Sequence, residues 1–257
     1  MDALRVTEED YIAYITIVRP PANALSTHVL KELEEALQKI EHNPKLKAVI
    51  ISGEGRFFAA GADIKEFTNA PSGKEFSSLA REGQELFTKM QTFPKPIIAA
   101  IHGAALGGGL ELAMACHMRL ASEGTKLGLP ELTLGIIPGF AGTQRLPRLV
   151  GSAKAAEMLL TAEPIGAEEA ERWGLINRVC SEGELLEEAK KLAEKIANKS
   201  AVSTRMIIEL LTYSTDESFE EGMMKESELF GQVYDSYDGQ EGIRAFLEKR
   251  SPVFKDK

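Results

Sequence analysis

The chain has 257 residues, of which 44% are apolar, and a formal net charge of −9 at pH 7. That length and apolar share suffice for one large domain, or for a domain with a helical appendage. The acidic balance argues against a general nucleic-acid binder, which needs clustered Lys and Arg, but backbone N–H groups and a few lysines can still hold an anionic ligand. The two cysteines, Cys116 and Cys180, form no CxxC pair and read as reduced structural thiols of a cytoplasmic protein. The four histidines are scattered, and HExxH, GxSxG and GxxxxGK[ST] are all missing, so no metal site is expected. The first ten residues are acidic and lack the apolar stretch of a secretory signal, and no apolar run is long enough to span a bilayer.

Residues 12–18 read as a strand, rich in β-branched and aromatic side chains and stopped by Pro20-Pro21. Ser26 or Thr27 then caps a helix carrying Leu30, Leu33, Leu37 and Ile40 at helical spacing. Ala48-Val49-Ile50-Ile51 and Ile97-Ile98-Ala99-Ala100-Ile101 are continuous apolar runs, the pattern of strands buried on both faces. Residues 110–116 have helical composition, and Met118-Arg119-Leu120-Ala121 suits a further strand. Beyond Gly151 the chain is mostly helical. Ser152 is read as the cap of a helix over residues 153–160. A short helix over 167–173 closes at Gly174, and a strand is read over 175–179. Helices over 184–197, 201–213, 217–234 and 239–250 follow, so an α/β core over residues 1–198 precedes a helical module over 199–257.

Two glutamates stand out, each beside unusual backbone: Gly107-Gly108-Gly109-Leu110-Glu111 and Leu129-Pro130-Glu131. The glycines admit three readings. They allow close helix–strand packing; they form part of a dinucleotide fingerprint, although its third glycine is missing; or they open a helix whose free N–H groups face a developing oxyanion. Phe57-Phe58-Ala59-Ala60-Gly61-Ala62-Asp63-Ile64-Lys65 also follows a buried strand, and its small residues let backbone approach a ligand. Whether donors from the two stretches converge on one carbonyl oxygen is left open by the residues alone.

The stretches 58–65 and 101–113, together with Leu127-Gly128-Leu129-Pro130-Glu131-Leu132 and the segment 135–146, resemble the crotonase (enoyl-CoA hydratase/isomerase) superfamily. The resemblance runs from the N-terminal strand to Ala245-Phe246-Leu247-Glu248-Lys249-Arg250. It implies a spiral of ββα turns with C-terminal helices that build a homotrimer or homohexamer. It also implies an acyl-CoA thioester as substrate, with no cofactor beyond the CoA that the substrate carries. The N–H groups of Ala62 and Gly108 would form an oxyanion hole, and Glu111 and Glu131 match the two catalytic glutamates. Ala62, Asp63, Ile64 and Lys65 would lie along CoA, with further contacts at Ala22, Ala24, Ala60, Gly107, Pro130 and Gly139. Phe246 and Lys249 would help to cover CoA at a neighbouring subunit. The turn Arg19-Pro20-Pro21-Ala22-Asn23-Ala24-Leu25 is shorter than in many hydratases, which bears on Ala22 and Ala24.

The implied reaction is addition of water to a 2-enoyl-CoA. Attack at Cβ pushes charge onto the thioester oxygen, where fixed backbone donors stabilise it. Glu111, in the first turn of a helix, is expected to be ionised and to deprotonate the water, and Glu131 to protonate Cα. Candidate acyl-pocket residues are Phe67, Leu79, Leu86, Phe87 and Phe140. Asp63 is read as orienting its loop, and His102 and His117 as structural. The alternatives are a Δ3,Δ2-enoyl-CoA isomerase, which needs only one carboxylate, and a CoA- or RNA-binding protein on the same fold.

Overall fold

A computed structural model describes residues 2–63, 66 and 72–257. The chain opens as a hairpin of β1 (Leu4–Glu9) and β2 (Ile12–Ile17). Asp10 and Tyr11 both have positive φ between them, as a two-residue primed turn requires. Helix α1 (Thr27–His42) follows, with the Ser26 side chain accepting from the Val29 N–H as its N-cap. A repeating path then begins. Strand β3 (Ala48–Gly53) leads to the short β4 (Ala59–Ala60) and helix α2 (Gly73–Gln91). Strand β5 (Ile97–Ile101) leads to β6 (Ala104–Leu106) and helix α3 (Gly108–Ala115). Strand β7 (Met118–Ser122) leads to β8 (Lys126–Gly128) and a 3-10 turn over Pro130–Leu134.

Each circuit places one strand in each of two sheets. The larger sheet has the order β1-β2-β3-β5-β7-β10, where β10 is Arg178–Cys180, and the smaller has the order β4-β6-β8-β9, where β9 is Ile165–Gly166. Apart from the antiparallel pairs β1–β2 and β8–β9, all strand pairings are parallel. This is the spiral of ββα turns that the resemblance implied.

The apolar runs are buried on both sides of the larger sheet. Val49, Ile51, Ile97, Ala99 and Ile101 face one core with residues of α1, α2 and α3. Ala48, Ile50, Ile98 and Ala100 face the other, which Leu185, Ala189 and Ala193 cover. Alternate residues of a strand point to opposite faces, so a strand between two helical layers must be apolar throughout.

Helices α4 (Gly142–Val150), α5 (Ser152–Thr161), α6 (Ala167–Arg172) and α7 (Leu185–Ala197) complete this region. Two expectations shift here. Gly151, not Ser152, is the N-cap of α5: it also ends α4, and its φ of 78° lets one residue serve both helices. The strand read over 175–179 is Arg178–Cys180 instead. Leu175 and Ile176 are buried where their N–H groups close α6 onto the Ala170 carbonyl, which accounts for their apolar character without a strand.

Helices α8 (Ala201–Asp216), α9 (Phe219–Asp235) and α10 (Tyr237–Leu247) end the chain. Ser218 and Glu221 form a capping box at α9. The final residues tie back to the core: Asp256 accepts from the Ala201 N–H at 2.8 Å and pairs with Lys47 at 3.0 Å. These helices leave Ile207, Leu211, Phe219, Met223, Phe230 and Phe246 exposed, whereas Leu229 is buried. Among the described residues, no helix is long and apolar enough to cross a membrane.

Candidate active site

Successive circuits of the spiral end at one place. The ends of β4 and β6, the start of α3, the 3-10 turn that follows β8, the loop before α4 and residues of α1 and α2 line a cavity of about 230 Å³. Glu111 and Glu131 both line it, as do Ala60, Ala62, Gly107, Gly108, Pro130 and Gly139.

Glu111 lies one turn into α3 and is only 1% exposed. Its Oε1 accepts from the Phe140 N–H at 2.8 Å and from the Gly142 N–H at 2.7 Å, which leaves Oε2 for the cavity. Gly142 has to lack a side chain, because a Cβ there would lie 2.9 Å from that Oε1. Burial lifts the Glu111 carboxyl to about 7, and the charge on Glu131 adds to the rise. The two N–H donors and the Arg145 charge oppose it without overcoming it. The expectation that the helix N-terminus would favour the ionised form is thus reversed: the dipole acts on a surface charge by about 0.3–1 kcal/mol, less than removing a carboxylate from water costs.

Glu131 stands in the first turn of the Pro130–Leu134 segment, half-buried. It lies against Gly107, where a Cβ would sit 2.9 Å from Glu131 Oε1, and the φ of 50° and ψ of −128° at Gly107 also suit only glycine. Its Oε2 is buried and has no hydrogen-bond partner among the described residues. An orphaned carboxylate oxygen in a cavity wall marks a place for a ligand group. Burial raises the Glu131 carboxyl as well. Each glutamate therefore rests on a glycine, and burial moves both carboxyls upward.

The Gly108 N–H begins α3 and has no acceptor within the helix. Ala62 bridges Leu25 through its neighbours: the Leu25 N–H donates to the Gly61 carbonyl and the Asp63 N–H to the Leu25 carbonyl. A Cβ built on Gly108 would be 3.3 Å from the Ala62 nitrogen. The two stretches singled out in the sequence meet here, with the backbones of Ala62 and Gly108 side by side in the cavity wall.

Other expected positions are placed as follows. Asp63 Oδ2 accepts from Arg19 Nη2 at 2.6 Å, and Arg19 Nη1 donates to the Ala24 carbonyl at 2.8 Å, so Asp63 braces its loop. The Ala22 carbonyl accepts from the Ala60 N–H at 2.9 Å, which puts Ala22 and Ala24 behind the cavity wall. Of the acyl-pocket candidates, Leu79 and Phe140 line the cavity. Leu86 and Phe87 do not; Phe87 packs edge-on behind Phe140, ring centroids 5.4 Å apart. Ile64, Lys65 and Phe67 lie outside the described residues. Phe246 and Lys249 are exposed and do not line their own chain's cavity. His102 Nε2 donates to the Gly55 carbonyl at 3.0 Å, and His117, half-buried, meets the Gln91 carbonyl at the end of α2, both away from the cavity.

Sequence reasoning missed Glu66, which lines the cavity while its Oε2 accepts from the Thr27 N–H and hydroxyl, each at 2.9 Å. It also missed the Phe140 and Gly142 N–H groups. Gly139-Phe140-Ala141-Gly142 carried a signal, two glycines closing on a helix start, but nothing in it named Glu111 as the acceptor.

A family model described as enoyl-CoA hydratase/isomerase matches residues 7–257. A probable enoyl-CoA hydratase of Bacillus subtilis strain 168 is 53% identical over 99% of both chains. A crotonyl-CoA hydratase of Syntrophomonas wolfei is 42% identical over 97% of this chain and 96% of its own. The crystal structure of an enoyl-CoA hydratase from Bacillus anthracis superposes with a TM-score of 0.94 at 36% identity, covering 99% of this chain and all of that one. With a full-length match in sequence and fold, the chain belongs to the enoyl-CoA hydratase/isomerase family.

Proposed function

We propose that this enoyl-CoA hydratase adds water across the 2,3 double bond of a 2-enoyl-CoA, giving the 3-hydroxyacyl-CoA, with Glu111 and Glu131 as its acid–base pair. One observation carries the reading: two carboxylates and the Ala62 and Gly108 backbone face a single cavity. The thioester oxygen binds between the two N–H groups. Water attacks Cβ, the enolate charge builds on that oxygen, and donors already in place stabilise it without reorganising. Glu111 takes a proton from the water and Glu131 gives one to Cα.

The pair works with one proton between its two members. Glu111, lifted to about 7 by burial, holds that proton before substrate arrives. It passes to Glu131 before hydration, and hydration returns it to Glu111. An isomerase moves one proton and needs one carboxylate, so the facing pair favours hydration.

The exposed apolar residues of the C-terminal helices support assembly into a homotrimer or a dimer of trimers, with Phe246 and Lys249 reaching CoA on a neighbouring subunit. CoA enters with the substrate, no further cofactor is assigned, and the cytoplasm is the proposed location. The test is loss of the conjugated-thioester absorbance of crotonyl-CoA, run beside longer 2-enoyl-CoAs and a 3-enoyl-CoA. Hydration of the 2-enoyl substrates supports the reading; conversion of the 3-enoyl substrate alone overturns it.

A further inference from the structure

Glu111 is held by a loop that is itself held from behind. Ala141 is in the left-handed region, φ 71° and ψ 25°, a conformation that costs any residue with a Cβ. That single residue turns the N–H groups on either side of it toward one point, forming an anion-binding nest. Here the anion is Glu111 Oε1, reached from Phe140 and Gly142.

The nest is locked by Arg145. Its own N–H donates to the Ala141 carbonyl at 3.0 Å, and its Nη1 donates to the Phe140 carbonyl at 2.6 Å. Its Nε and Nη2 both donate to Gln91 Oε1, at 3.0 and 2.9 Å. Gln91 is the last residue of α2, and its carbonyl accepts from His117 Nε2 at 3.2 Å. His117 Nδ1 in turn accepts from the Ile97 N–H at 2.9 Å, which fixes the proton on Nε2. Burial holds His117 down to about 4, so it stays neutral at any pH near neutrality. Hydrogen bonds joined through Gln91, Arg145 and Phe140 thus link β5 to Glu111.

We propose that Arg145, fixed by Gln91, is a positioning residue that holds the Phe140–Gly142 nest against Glu111 and sets both the orientation and the charge state of that carboxylate. The kinetic side of this rests on the hydratase reading; the titration of Glu111 does not. Among the described residues, the charges that bear on Glu111 are Glu131 from the 3-10 turn and Arg145 from α4, and Glu66 lines the same cavity. A planar guanidinium suits this place, because one group must bridge a carbonyl and an amide oxygen at once.

The experiment compares wild type with Gln91→Ala, Gln91→Glu and Arg145→Lys, each checked for native circular dichroism. Glu111 is titrated by NMR in protein labelled with [13C]glutamate, its signal assigned by its loss in Glu111→Gln. In parallel, kcat and KM are measured with crotonyl-CoA. Gln91→Glu puts a negative charge against Arg145, so the Glu111 midpoint moves up by about half a unit or more. Gln91→Ala removes the two bonds that Nε and Nη2 make to Gln91 and lowers kcat by about tenfold or more with KM changed less than about twofold, as loss of positioning does. Arg145→Lys keeps the charge without the bridge, so the midpoint stays close to wild type while kcat falls. A folded Gln91→Glu with the wild-type midpoint overturns the proposal, and so does a folded Gln91→Ala with wild-type kcat. If wild type fails to hydrate crotonyl-CoA, the hydratase reading falls, and the midpoints still decide whether Arg145 governs Glu111.

Discussion

Gly108 and Ala62 come from different circuits of the spiral, 46 positions apart in sequence, yet a Cβ on Gly108 would lie 3.3 Å from the Ala62 nitrogen and 3.2 Å from the Phe140 ring. A side chain at 108 therefore crowds both the paired donor and the wall that carries Glu111's partner. Gly108→Val is expected to lower kcat on crotonyl-CoA by on the order of 10²-fold or more, comparable to losing one oxyanion donor. A variant with native circular dichroism and normal turnover would place the hole elsewhere.

The pH dependence follows from the shared proton. In the proposed mechanism the active state carries one proton on the pair, so activity should fall when that proton leaves and again when a second one binds. Glu111 holds the last proton with a midpoint of about 7, which puts the basic limb of kcat/KM there. Glu131→Gln removes a charge that contributes to the rise, so the Glu111 midpoint falls in that variant. A wild-type profile that is flat between about pH 6 and 9 contradicts the one-proton pair.

In Glu111→Gln, stability should move in the opposite sense to activity. A carboxyl raised on folding contributes nothing unfavourable below its ordinary value of 4.5, where it is neutral in both states, and costs stability as pH rises through about 7. Glu111→Gln keeps an oxygen for the Phe140 and Gly142 N–H groups and cannot ionise. At pH 8 it should stabilise the chain by on the order of 2 kcal/mol, a gain that closes as pH drops toward the ordinary carboxyl value. Denaturant melts of wild type and variant at both ends of that range provide the check. Equal stability at pH 8 would mean that burial does not burden Glu111.

Lys249 is exposed at the end of α10, outside the cavity of its own chain. If it meets the CoA phosphates of a neighbour, Lys249→Ala raises KM for crotonyl-CoA, leaves kcat nearly unchanged, and loses its effect as salt rises. Crotonyl-pantetheine, which lacks the nucleotide, should be indifferent to the change. Light scattering at micromolar protein should show a trimer or hexamer. A fully active monomer, or an equal effect on both substrates, rules out contact across subunits.

Much of the fold was legible because the larger sheet lies between two apolar layers: strands such as Ala48–Gly53 and Ile97–Ile101 declare themselves as unbroken apolar runs. The smaller sheet was not, since Ala59–Ala60 and Ile165–Gly166 are two residues each, too short for any periodicity. The edge strand Leu4–Glu9 was hidden by charges that suit an exposed edge. Helix Gly73–Gln91 did carry a signal in Leu86, Phe87 and Met90, behind a Ser72 cap, but the polar stretch before them obscured it. At the site, glycine and proline marked both glutamates. The Phe140 and Gly142 donors, the Arg145–Gln91 lock and the upward shift of Glu111 depend on contacts between distant segments, which spacing along one chain does not encode.

In the proposed reaction Glu111 and Glu131 act as one acid–base unit. The most direct measurement is kcat for crotonyl-CoA hydration by Glu111→Gln, Glu131→Gln and the double variant, with binding of the saturated butyryl-CoA measured on the same preparations. Each single variant should lose roughly 10²–10⁴-fold in kcat, the double variant should lose little more than the worse single one, and butyryl-CoA should bind all of them. Near wild-type turnover in either folded single variant would mean that the two carboxylates do not work as a pair.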